Sequence, residues 1–284
     1  MPARGGSRAG YSAGMPVPCL PFAACPAADL RRLRGVLTDI DDTLTRDGAI
    51  DPPALAALGA LQAAGVPVVA ITGRPMGWSE PFARDWPLDA IVAENGAVAL
   101  FRQGGAMVVE YAQDEPTRRV NRARLDAAAA RVLREVPGAL LARDSAGRVT
   151  DIAVDHSEFN SLPPAAIDRV VAIMRAEGMN ATVSSIHVNG WFGTHDKPSG
   201  ARWIVQRLYG RTLDDEREAW AYVGDSTNDQ AMFARFPLSV GVANLRRFAA
   251  ELTVWPRYLT GGERGAGFAE VAQALLSARH SPAA

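Results

Sequence analysis

From Arg34 onward the chain alternates short apolar runs with helical stretches. Gly35-Val36-Leu37-Thr38 is apolar and stops at acids, the pattern of a strand buried on both faces of a parallel sheet. Asp51-Pro52-Pro53 then opens a helix, with Asp51 as N-cap and Pro52 in the first turn, and Gly65 closes it. Val66 to Ile71 and Ala90 to Ala93 read as the next strands. The pattern then changes. Ala97–Leu100 and Met107–Tyr111 flank Gly104-Gly105 as hairpin strands. Glu115–Glu135 is an Arg/Ala-rich helix, Arg148–Val154 a strand, Pro163–Glu177 a helix ended by Gly178, and Ala181–Val188 another strand. The first pattern resumes near Lys197. It continues with a helix over Ala201–Tyr209, strands at Ala219–Val223 and Leu238–Val242, a helix over Asn228–Phe236 and a closing helix over Gly267–Ala278. The expected fold class is α/β: a Rossmann-like parallel sheet core flanked by helices, over 31–100 and 191–284, interrupted by an α+β cap domain over 101–190.

Residues 1–30 read differently. Arg, Gly, Ser and Ala dominate the start, and Pro16, Pro18, Pro21 and Pro26 break the only apolar patch. No clean secretory h-region forms, so this segment is expected to be a flexible tail. The 284 residues are 48% hydrophobic and 21% charged, enough to bury a core. Net charge is -1, which argues against a nucleic acid or an anionic membrane as partner. Cys19 and Cys25 are the only cysteines, so neither a disulfide framework nor a thiolate zinc site serves the main body. No run is long and apolar enough to span a bilayer, and a cytoplasmic protein is expected. Nothing in the sequence speaks to oligomeric state.

The candidate chemistry sits at strand ends, where ligands bind in open α/β sheets. Asp39-Ile40-Asp41-Asp42-Thr43 follows the first strand, and Thr72-Gly73-Arg74 the second. Gly224-Asp225-Ser226-Thr227-Asn228-Asp229 follows the strand Ala219–Val223, and Lys197 opens a helix. Asp39, Asp41, Asp225 and Asp229 on one rim would repel unless cations join them. A hard dication and one lysine would supply the balance, and an all-oxygen donor set selects Mg²⁺ over zinc.

These four segments resemble the four motifs of the haloacid-dehalogenase-like phosphatase superfamily. Asp39 to Thr43 resembles the first, Thr72 the second, Lys197 the third, and Gly224-Asp225 to Asp229 the fourth. The stretch between Thr72 and Lys197 is where that superfamily carries its large cap. Ala93-Glu94-Asn95-Gly96-Ala97 and Val240-Gly241-Val242-Ala243-Asn244 are similar to the Cof-type, sucrose-phosphatase-like branch. The run Lys197-Pro198-Ser199-Gly200 departs from the branch, which often has Gly directly after this lysine.

The resemblance implies a Mg²⁺-dependent phosphatase acting on a small phosphorylated metabolite, a sugar phosphate first among them. It implies Asp39 as nucleophile forming an aspartyl-phosphate, and Asp41 as general acid and then base. Metal ligands would be Asp39, the backbone carbonyl of Asp41, and Asp225, with Asp229 or Asn228 in support. Thr72 and Lys197 would hold the phosphoryl oxygens. Substrate-contacting candidates are Thr72, Gly73, Arg74, Asn95, Lys197 and Asn228 from the core. Ser185, His187 and Asn189 alternate along a cap strand and share one face, which would close over a polar substrate. Two alternatives carry different chemistry: a phosphomannomutase-like phosphotransferase on the same scaffold, and a non-catalytic receiver-like binding module.

Overall fold

The computed structural model describes residues 19–280. A nine-stranded sheet runs Leu20–Pro21, Tyr258–Leu259, Leu238–Gly241, Trp220–Gly224, Gly35–Thr38, Val68–Ile71, Ala90–Ala93, Val98–Gln103 and Ala106–Tyr111. The first seven are parallel neighbours, and the last two form an antiparallel hairpin on the edge. The pleat divides the core into two layers. Val36, Val68, Ala70, Ala221 and Val223 face the helices Pro52–Ala63 and Arg264–His280. Leu37, Val69, Ile71, Trp220 and Tyr222 face the helix Lys197–Tyr209 and its neighbours. Both faces are buried, so the strands carry continuous apolar runs.

The hairpin differs from the sequence expectation. Val98–Gln103 and Ala106–Tyr111 belong to the core sheet, because Val98–Phe101 pairs with Ala90–Ala93. The insert therefore begins after Tyr111. It comprises the helices Glu115–Glu135 and Pro164–Ala176 on one face of a four-stranded antiparallel sheet. The expected single strand over Ala181–Val188 is two strands, Asn180–Val183 and His187–Trp191. They are joined by a turn in which the Ser184 hydroxyl accepts from His187 N at 3.0 Å. Ser185 thus lies in the turn, not on the strand face.

Of the expected tail over residues 1–30, the first eighteen residues lie outside those described and the rest is not a tail. From Cys19 the chain is ordered onto the core: Leu20–Pro21 pairs with Tyr258–Leu259, and the helix Ala27–Arg32 buries Leu30. Phe22 and Leu33 are buried in the core too. The helix Met76–Asp85, hidden in the sequence by Gly77 and Pro81, follows the second strand. Among the described residues no helix is long and apolar enough to cross a membrane.

Candidate active site

The sheet switches direction between Gly35–Thr38 and Trp220–Gly224, since later strands add to opposite sides of this pair. Such a switch point opens a crevice at the carboxyl ends of both strands. Asp39 and Asp225 are the first residues beyond those two ends, locked in step by Asp39 N donating to Val223 O at 2.9 Å.

Lys197 reaches the same point from the other domain junction. It is the first residue of its helix, whose N-cap Asp196 forms a reciprocal capping box with Ser199. The Glu94–Gly96 turn abuts this helix start. A Cβ on Gly96, whose φ is +108°, would sit 2.2 Å from the Asp196 carbonyl oxygen, so only glycine allows the approach. Lys197 Nζ donates to Asp39 Oδ1 and to Asp229 Oδ1, each at 2.7 Å, with Asn228 Oδ1 at 3.4 Å. All three charged groups are almost fully buried.

The residues divide by how fully they are satisfied. Asp229 is saturated: its Oδ1 also accepts from the buried Tyr222 hydroxyl, and its Oδ2 accepts from the N–H of Asp225 and of Ser226. Its role in this geometry is to hold Lys197 and the Asp225 loop. Asp225 is the opposite case. Oδ2 accepts only from Asn244 Nδ2 at 3.2 Å, and Oδ1 is buried without a hydrogen-bond partner. Burial, aggravated by Asp39 and Asp229, pushes the Asp225 carboxyl well above its usual range. Burial likewise raises Asp39 to about 8, although Lys197 pulls it down. Burial works against the Lys197 charge, yet Asp229 and Asp39 hold its pKa above the ordinary ammonium value.

An orphaned buried carboxylate oxygen beside a second carboxylate is the setting a hard cation fits. Oxygens of Asp39, Asp225 and Asp229 all lie within 4.8 Å of one another. The donor set is oxygen only, as Mg²⁺ prefers.

Asp41 faces away from this cluster and into the crevice. Both its oxygens accept from Arg74 Nε, at 2.9 and 3.0 Å. Arg74, 4% exposed, was expected to meet a substrate anion or sugar group. Its guanidinium is instead shared among three carboxylates: Asp41 of the core, and Glu158 at 2.8 Å and Asp144 at 3.3 Å from the insert. Trp78 lies under it at 4.7 Å. Burial opposes its charge and Asp41 and Glu158 more than restore it. Arg74 N also donates to the Thr72 hydroxyl at 3.0 Å, which fixes the loop after the second strand.

The insert's polar sheet face covers this crevice. His187 Nε2 meets Glu158 Oε2 at 2.9 Å. Asn189 Nδ2 donates to Gly73 O and to Asp151 Oδ2, both at 3.3 Å. His187 and Asn189 therefore do share the face turned to the core. Arg148, paired with Asp151 and Asp144, donates to the same Gly73 carbonyl at 3.0 Å. Asn95 is buried in the turn before the first hairpin strand, with a left-handed φ of 55° and its Nδ2 unpartnered. Its neighbour Glu94 binds the insert: the fully buried carboxylate accepts from the N–H of Met76, Val149 and Thr150 and from the Thr150 hydroxyl. Sequence reasoning placed Glu94 only in a family-like segment and missed Asp144, Arg148 and Glu158, which carry no motif. A cleft of about 340 Å³ remains between the domains, lined by Asp41, Arg74, Glu158, Phe159, Arg247 and Arg264 among others.

Residues 36–121 match the family model of haloacid dehalogenase-like hydrolases. Comparison with curated proteins yields no match. Solved structures share the fold at low identity. A Thermoplasma acidophilum protein is 16% identical with a TM-score of 0.65, covering 86% of this chain and 98% of its own. The sucrose-phosphatase of Synechocystis, solved with sucrose and phosphate, is 17% identical with a TM-score of 0.61, over 86% and 98%. A haloacid dehalogenase-like hydrolase from Bacteroides thetaiotaomicron is 16% identical with a TM-score of 0.58, over 85% and 98%.

Proposed function

We propose that this haloacid dehalogenase-like hydrolase is a divalent-metal-dependent phosphatase that releases phosphate from a small phosphomonoester, a sugar phosphate first among candidates. The observation that carries the reading is the meeting of Asp39, Lys197 and the half-unpartnered Asp225 at the switch point. The likeness to a fold that includes sucrose-phosphatase supports the substrate class.

Mg²⁺ would be held by Asp39, Asp225 and the backbone carbonyl of Asp41, with Asn244 orienting Asp225. When bound it supplies positive charge against the phosphoryl oxygens and relieves the repulsion between the two carboxylates. Asp39 then attacks phosphorus, and the leaving alkoxide takes a proton from Asp41. Lys197, anchored by Asp229, keeps an ammonium against the developing charge, and the Thr72 hydroxyl holds a second oxygen. Water next attacks the phosphorylated Asp39 while Asp41 accepts its proton. The insert, seated through Glu94, Arg148 and Asn189, keeps bulk water out.

A screen of phosphorylated metabolites with Mg²⁺ tests the reading by released inorganic phosphate. Sugar phosphates should lead, and Asp39→Asn should abolish release without unfolding the protein. Activity retained in that variant, or isomerised sugar phosphate in place of free phosphate, would refute it.

A further inference from the structure

The Arg74 contacts carry more than a shape for the crevice. Arg74 grips both oxygens of Asp41 at 2.9 and 3.0 Å. Nη2 also lies 2.9 Å from Oδ1, so the guanidinium edge fixes where the Asp41 carboxyl points. The step that depends most on that aim is the one in which Asp41 receives a proton from water, after the leaving group has gone.

The other end of Arg74 is held by the insert. Glu158 Oε1 accepts from Arg74 at 2.8 Å, and its other oxygen meets His187 Nε2 at 2.9 Å. The loop that presents Glu158 is fixed without this carboxylate. Asp155 accepts from the N–H of Ser157, Glu158 and Phe159 at 2.9 to 3.1 Å. The Glu158 side chain is thus not needed to shape its own loop, and its described partners are Arg74 of the core and His187 of the insert.

We propose that Glu158 is a positioning residue for the second half-reaction: by fixing Arg74 from the seated insert, it aligns the Asp41 carboxylate with the attacking water. The assignment rests on the phosphatase reading. In the step it serves, the water oxygen bonds to phosphorus and one water proton passes to an Asp41 oxygen. The bond from phosphorus to Asp39 breaks, its electron pair returns to the Asp39 carboxylate, and inorganic phosphate leaves. Because Glu158 belongs to the insert and Asp41 to the core, hydrolysis of the phosphorylated enzyme is tied to a closed crevice, where only an admitted water can react.

The test is Glu158→Gln, which keeps size and removes charge, assayed with 4-nitrophenyl phosphate and Mg²⁺ by rapid quench. This aryl group leaves without acid help, so the first half-reaction reports the nucleophile alone. The expected result is kcat lower by at least about tenfold and KM lower in proportion, with kcat/KM and the burst rate within about twofold of wild type. Phosphorylated enzyme should accumulate, seen as one added phosphoryl group in the intact mass after acid quench. A fall of kcat/KM together with kcat, or no accumulation, overturns the assignment, because a residue that only seats the insert or binds substrate slows both halves. A wild-type protein that frees no nitrophenolate overturns the phosphatase reading itself, and this assignment with it.

Discussion

Removing the metal should make the protein less stable as pH rises. Without a cation, burial raises Asp39 to about 8 from 3.8 and pushes Asp225 well above its usual range. The folded metal-free protein therefore keeps protons that the unfolded chain gives up near pH 4. A raised folded pKa stabilises at low pH, and that stability is lost as pH climbs toward the folded value, here between about 4 and 8. The loss reaches about 1.4 kcal/mol per pH unit for each proton involved. Asp151, raised to about 7 by burial against the pull of Arg148, adds the same slope whether or not metal is bound. The difference between metal-bound and chelated protein isolates the site. Mg²⁺ at a fixed concentration a hundredfold above its Kd at about pH 5.5 adds about 2.7 kcal/mol there, and at that concentration the increment should grow with pH by up to about 1.4 kcal/mol per unit for each proton displaced. Urea unfolding at about pH 5.5 and about pH 7.5, with chelator and with Mg²⁺, measures it. Asp225→Asn should abolish the increment and leave the chelated protein at neutral pH at least as stable as wild type, because folding no longer has to take up a proton at this buried carboxyl. An increment independent of pH, or one that survives in Asp225→Asn, would refute the reasoning.

Glu94→Ala should cost roughly 3 kcal/mol or more, because four donors lose a buried charged acceptor, two of them backbone N–H groups of the insert; thermal unfolding should show it, and hydrogen exchange should rise at Val149 and Thr150. Tyr222→Phe removes only the hydroxyl that meets Asp229, so it should cost about 1–2 kcal/mol in stability and lower kcat more than it changes KM, which steady-state kinetics on the preferred substrate can check. Gly96→Ala should destabilise by at least about 2 kcal/mol, since the new Cβ meets the Asp196 carbonyl in a left-handed backbone; a melting temperature unchanged within error would contradict the packing described.

Much of the site was legible because its residues follow strands. Asp39, Thr72 and Asp225 sit at the carboxyl ends of buried apolar runs, and Lys197 opens a helix. Local pattern therefore told which edge of the sheet they share. The hairpin Val98–Tyr111 was assigned to the insert because its alternation looks the same whether it extends a core sheet or starts a new one; only pairing with Ala90–Ala93 decides. Residues 19–30 were assigned to a tail because prolines mask a short segment that buries Phe22 and Leu30 against a helix at the far end of the chain. Arg74 could not be read correctly for a related reason. Its insert partners lie 70 and 84 residues away, in loops without motif, and an arginine beside a strand-end threonine looks the same whether it awaits an anion or already holds three.

The two strands of chain joining core and insert run side by side. Gln113, leaving the core, donates to the Phe192 carbonyl on the way back at 2.8 Å. Residues 115–191 consequently enter and exit through one doorway, and the sheet that carries Asp39 and Asp225 is complete without them. Such an arrangement lets a whole module be exchanged by recombination at the doorway while the reactive carboxylates stay where they are. Substrate preference and bond-breaking chemistry then change on separate evolutionary clocks, coupled where Arg74 of the core meets both Asp41 and the insert's Glu158.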